Sequence, residues 1–156
     1  MLMQWLGSET RGGAALRAVC AMVAVWLMLF SWSELMTRFL LSDSSTRYMN
    51  YVKARTKGTG WYDTIAELPT YATGMLVGLA VGLLLALIFR QRPARVAAAT
   101  SVLLLALLVF TYFTGGVVET TTQLRFLLLG LVMAAGLFVA PWLMQRWRGR
   151  GQRLGA

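Results

Sequence analysis

The chain contains no histidine. That removes the commonest general base, the usual haem ligand and the one side chain whose ordinary pKa lies near neutrality. A single cysteine, Cys20, excludes an internal disulfide and a paired-thiol metal or redox site. Acids number only six against fifteen basic residues. Of these acids Asp63, Glu67 and Glu119 are the set a fold could gather, yet no metal-ligand spacing or glycine-rich phosphate loop accompanies them. Gly58-Thr59-Gly60 is too short to be more than a turn. No catalytic, cofactor-binding or metal-binding residue is assigned, and a non-enzymatic role is expected.

Charge is scarce as well. Charged residues make up 13% of the chain and hydrophobic ones 58%, where a soluble domain carries about 25% charged residues. Four stretches hold no charge at all: 16 residues over 18–33, 22 over 68–89, 23 over 96–118 and 20 over 126–145. A helix needs about 20 apolar residues to cross a hydrocarbon core of ~30 Å. The expected fold is therefore all-α, a single integral membrane domain over 1–156 built as a four-transmembrane-helix bundle. Its spans fall at about 15–41, 68–89, 96–114 and 124–145.

The first span is the short one. Glu34 and Arg38 stand four apart with the acid first, the favourable order for a helical ion pair, so the helix is expected to continue to Leu41. No small-x-small site closes the run at Phe30-Ser31-Trp32-Ser33-Glu34, which favours a retained signal anchor over a cleaved peptide. Its bulky residues Trp26, Leu27, Met28, Leu29 and Phe30 are expected to face lipid more than the later spans do.

The net charge of +9 does not indicate nucleic acid, because the cations lie between the spans. Arg11, Arg17, Arg90, Arg92, Arg95, Arg146, Arg148, Arg150 and Arg153 share one side with Glu9 alone. The other side carries Arg38, Arg47, Lys53, Arg55, Lys57 and Arg125 against Glu34, Asp43, Asp63, Glu67 and Glu119. Basic residues near span ends are retained in the cytoplasm, so both termini are expected inside and residues 42–67 outside. Trp142 and Trp147 would form an inner aromatic belt, and Trp32, Tyr48, Tyr51, Trp61, Tyr62, Tyr71 and Tyr112 an outer one. Small size and the lack of sorting or glycosylation signals point to a bacterial inner membrane.

The second span carries the strongest local pattern. Gly74, Gly78 and Gly82, extended by Thr70 and Ala86, form a row of small residues at intervals of four, a glycine zipper. Such a face lets helices approach closely and pack by van der Waals contact. Two fillers are open: another span of the same chain, with Ala97, Ala98, Ala99, Thr100 and Ser101 of the third span or Gly130, Ala134, Gly136 and Ala140 of the fourth as candidates, or a second subunit. Pro93 is expected to block helix continuation in the turn before the third span, and Pro141 to end or bend the fourth.

The outer loop of about 42–67 is expected to hold a short interfacial helix over 46–57, behind a break and N-cap at Ser42-Asp43-Ser44-Ser45 and stopped by Gly58. Tyr48, Tyr51 and Val52 are placed on one face, with Lys53 and Lys57 on another. Arg47, Tyr48, Tyr51, Lys53, Arg55 and Lys57 are the candidate contacts for an outer-side partner or for lipid. Thr64-Ile65-Ala66-Glu67 matches a capping box, and residues 120–123 are read as the cap of the fourth span after a Gly115-Gly116 turn.

No Asp, Glu, Lys or Arg lies in the charge-free stretches of the spans, with the Glu34–Arg38 pair at headgroup level, whereas ion-coupled transporters and proton relays place such a residue there. The expected function is a non-enzymatic subunit of a bacterial inner-membrane assembly, held through the glycine face, with the bilayer and other membrane subunits or copies of itself as partners. Two alternatives belong to other classes. One is a homo-oligomeric small pore with the glycine seam between copies; the other is a sensor, immunity or exclusion protein acting through its outer loop.

Overall fold

The computed structural model describes residues 11–89, 93–114 and 120–153, and their regular structure is entirely helical. Six helices follow in order: α1 (Arg11–Leu40), α2 (Asp43–Thr56), α3 (Tyr62–Ala66), α4 (Leu68–Ile88), α5 (Pro93–Thr114) and α6 (Thr120–Arg153). Four segments are long and apolar enough to cross a membrane: Gly13–Leu40, Tyr62–Ile88, Pro93–Thr111 and Leu124–Met144. The chain is thus a multi-pass membrane protein by the length and composition of its helices.

Local chemistry sets the boundaries. Ser42 ends one helix and starts the next: its hydroxyl donates to the Phe39 carbonyl at 2.6 Å and accepts from the Ser45 N–H at 3.3 Å. That cap starts α2 at Asp43, three residues before the expected Thr46. The left-handed φ of +83° at Gly58 closes the segment after α2, a conformation that costs glycine little. The expected capping box does not form. Thr64 lies within α3, and Glu67 joins α3 to α4 without a side-chain cap, because its carboxylate is engaged elsewhere. Pro69 is accommodated in the first turn of α4, where its missing N–H has no helical partner to lose.

Pro93 begins α5, for the same reason. Of the two outcomes expected at Pro141, an end of the helix does not occur, since α6 runs through it to Arg153. It is buried at the edge of the core beside Ala140, and packing against neighbouring helices offsets the lost backbone bond. The expected turn residues 90–92 and 115–116 lie outside the described residues, as do the side chains of 120–123, Tyr112 and Trp147.

The largest helix contact joins α4 to α6. A Cβ on Gly74 would sit 2.6 Å from Leu129 Cδ1, and one on Gly78 would fall on the Met133 carbonyl oxygen. A Cβ on Gly82 would lie 2.8 Å from Ala140 Cβ and 3.0 Å from Leu137 Cα. The approach is reciprocal, because a Cβ on Gly136 would meet Leu79 N and Met75 O at 2.8 Å. Contact numbers rise together along both helices, so α4 and α6 run parallel, as alternate spans must. On its other side α6 uses Gly130 to receive Leu108 and Leu105 of α5.

The fourth span therefore fills the glycine row from within the chain. Of the two fillers expected, the structure shows the span of the same chain, and the row serves packing between α4 and α6.

α1 packs on α4 and α5 through Ala21, Ala24, Val25 and Met28, all buried at helical spacing. Met28 is fully buried, against its expected lipid exposure, whereas Trp26 and Phe30 do point outward and stack with centroids 5.3 Å apart. Met28, Leu104, Met133 and Leu137 form the centre of the core.

Gly78→Val is expected to destabilise the protein by about 1–3 kcal/mol, the usual cost of overpacking, read from loss of helicity on titration with denaturing detergent. Gly60→Ala serves as the control, because a Cβ there meets nothing within 4 Å.

Candidate interaction surface

The end of the molecule that holds residues 32–73 gathers most of its polar side-chain contacts between elements. Trp32 of α1 donates its indole N–H to the Thr70 carbonyl of α4 at 3.3 Å. This carbonyl lies in the first turns of α4, and its acceptance of an indole proton fixes the antiparallel register of α1 on α4. Thr73 bonds back to the carbonyls of Pro69 at 2.8 Å and Thr70 at 3.0 Å, and its hydroxyl lies 3.2 Å from Met36 Sδ of α1.

Glu67 is the hub on the other side of α4. One carboxylate oxygen accepts from the Tyr71 hydroxyl at 2.9 Å, and the other pairs with the guanidinium of Arg125 at the start of α6. The Glu67 side chain is only 23% exposed, so the pair is worth more than a fully solvated one. It ties together the same two helices that the glycines bring together deeper in. Glu34 and Arg38, by contrast, pair along α1 at 2.9 Å with both side chains exposed, an arrangement worth a few tenths of a kcal/mol, about 0.3–0.5.

α2 sits over this end. Ser45, Val52 and Thr56 are buried and Tyr48 is half-buried, all on one face. Tyr48 donates to the Ile65 carbonyl of α3 and meets Phe39 of α1 edge-on at 6.5 Å. Tyr51 does not share this face. It lies with Arg47 and Arg55 on an outward stripe at intervals of four, and the Arg55 guanidinium stands 5.5 Å from the centre of its ring. Lys53 and Lys57 are exposed too. The site residues expected in this segment thus divide: Tyr48 is a structural anchor, whereas Arg47, Tyr51, Lys53, Arg55 and Lys57 are presented outward.

The small-residue row divides similarly. Gly74, Gly78 and Gly82 face α6, Ala86 is buried, and Thr70 gives its carbonyl to α1. Of the three acids, Glu67 pairs with Arg125 and Asp63 is exposed on α3, while Glu119 lies outside the described residues. Sequence reasoning missed the Glu67–Arg125 bond and the Trp32 donation. A signal for the first was present, since opposite charges flank the second and fourth spans at the same margin.

Several hydroxyls within the spans bond to their own helices. Thr100 donates to Val96 O and Ser101 to Ala97 O, both at 2.8 Å, and Thr111 and Thr114 likewise turn to carbonyls three or four residues back. Among the described residues no buried side-chain nitrogen or oxygen lacks a hydrogen-bond partner.

A double-mutant cycle with Glu67→Gln and Arg125→Gln is expected to give a coupling of about 1 kcal/mol that weakens with salt. Reversible unfolding in mixed detergent measures it, and additive effects would show that the pair contributes nothing. No protein-family model matches the chain, and comparisons with curated proteins and with solved structures return no match.

Proposed function

We propose that the protein is a non-enzymatic subunit of a bacterial inner-membrane assembly: a four-helix bundle, both termini cytoplasmic, with α2 lying in the outer interface. One observation carries the assembly reading. Trp26 lies at the middle of the Gly13–Leu40 segment and is 62% exposed, and its indole N–H has no acceptor among the described residues. Tryptophan favours the two membrane interfaces, where its ring is apolar and its N–H wet. Hydrocarbon supplies no acceptor, and a donor left unpaired there carries a desolvation cost.

A neighbouring protein helix resolves that cost. Its seat is the α1 face of Val19, Met22, Val23, Trp26 and Phe30, all exposed. The contact thus moves from the glycine row, which holds the chain together internally, to the opposite side of the molecule. The self-bonded hydroxyls of the spans support a structural task over a solute path.

Purification in mild detergent is expected to yield a complex with a companion protein or a second copy. Trp26→Leu keeps the face apolar but removes the donor, and should release that companion while leaving helicity and unfolding unchanged. A monomer from the unaltered chain overturns the reading. Topology is tested by reporters: a C-terminal fusion should be active only in the cytoplasm, and an insertion after Gly58 only outside.

A further inference from the structure

The depth of α2 in the bilayer follows from two separate helices. Trp26 lies at the centre of the charge-free part of α1, and Leu40 is fourteen residues further on. At ~1.5 Å per residue this places the start of α2 about 21 Å from the bilayer centre. Gly78 lies at the centre of the charge-free stretch of α4, and Thr64 of α3 is fourteen residues before it. The same rise gives about 21 Å again. Half of a bilayer of ~40–45 Å, head groups included, is about 20–22 Å. α2 and α3 therefore stand at the level of the lipid phosphates.

The side chains at that level fit the placement. Leu41 is 83% exposed and Trp61 65% exposed, as suits the apolar and aromatic groups of an interface but not a water-facing loop. α2 presents Arg47, Lys53 and Arg55 outward, with Lys57 directly after it, against the single acid Asp43. No carboxylate pairs with these cations among the described residues, since Glu34 holds Arg38 and Glu67 holds Arg125. Arg55 stands over the Tyr51 ring, with Arg47 one turn beyond Tyr51 on the same stripe.

We propose that this outward face of α2 binds the phosphates of anionic phospholipid head groups. Guanidinium forks and ammonium groups donate to phosphate oxygens, and the inward face, anchored by Tyr48 and Val52, keeps the row at phosphate depth. The site rests on the membrane placement of α1 and α4 and is independent of the contact at Trp26. The test accordingly reads lipids and not proteins.

The full-length protein in detergent is titrated with phosphatidylglycerol and with phosphatidylcholine, and bound lipid is read by native mass spectrometry. Phosphatidylglycerol is expected to be retained at least about fivefold more strongly, the effect of one basic side chain near an anionic surface. The combined variant Arg47→Gln, Lys53→Gln, Arg55→Gln and Lys57→Gln should lose the preference, and Arg47→Lys with Arg55→Lys should keep most of it. A second measurement needs no variant: amides of residues 43–57 should exchange more slowly in nanodiscs of equal parts phosphatidylglycerol and phosphatidylcholine than in phosphatidylcholine alone. Equal retention of the two lipids with equal exchange overturns the proposal. So does complete displacement of phosphatidylglycerol by inorganic phosphate, which would make the face a site for free anions.

Discussion

The rest of the molecule depends on the backbone approach of α4 to α6 at Gly78 and Gly136. Neither residue carries a side chain: the Met133 backbone of α6 occupies the space a Cβ on Gly78 would need, and the backbone of Met75, Gly78 and Leu79 of α4 the space a Cβ on Gly136 would need. In a bilayer, apolar side chains gain nothing by leaving lipid for one another, so helix association rests on dispersion between closely fitted surfaces. Three glycines four apart on α4 provide such a surface, and Met133, Leu137 and Ala140 of α6 fill it. Because the two helices run parallel, α5 must return between them. Gly130, on another part of α6, receives that returning helix, and α1 closes against α4 and α5.

Polar chemistry is kept to the ends of this apolar contact. The Glu67–Arg125 pair fastens α4 to α6 at one margin, where the carboxylate still reaches water and the cost of removing charge from it is modest. Trp32 and Thr70 fasten α1 to α4 at the same level. At the other end the Arg146 guanidinium lies 5.3 Å from the Trp142 ring, joining a cation and an aromatic on one exposed helix face. Within the spans, serine and threonine return their donors to their own helices, which lets them stand in a close-packed interior without requiring a partner helix to supply an acceptor.

Much of this was legible in the sequence, for physical reasons that differ by element. The four spans are visible because lipid forbids charge over about 20 residues, a constraint that composition displays directly. The Glu34–Arg38 pair and the cap within Ser42–Ser45 depend on neighbours within four positions; the pair stands as expected, and the cap forms at the first residue of that run. Features set by distant contacts were not readable. Whether Gly78 meets a fourth span or a second subunit depends on Gly136, fifty-eight positions away. Tyr51 faces outward because Ser45, Tyr48, Val52 and Thr56 define the buried stripe, and the polarity of the segment does not rank one tyrosine above the other. Thr64 and Glu67 fit a capping box by spacing, yet Arg125 and Tyr71 take the carboxylate. Pro141 reads as a stop only if the helix has nothing to lean on, and α6 has.

The central claim is that the glycine row is sealed within one chain, which moves any assembly contact to the far side of α1. Cysteine cross-linking tests it most directly, with Cys20 replaced by serine and Gly74→Cys and Met133→Cys introduced on the facing positions of α4 and α6. Oxidation in native membranes should convert the double variant to a disulfide-closed monomer, and two differently tagged chains carrying one cysteine each should not cross-link when expressed together. A covalent dimer between the singly substituted chains, with no closed monomer from the double variant, would contradict the account.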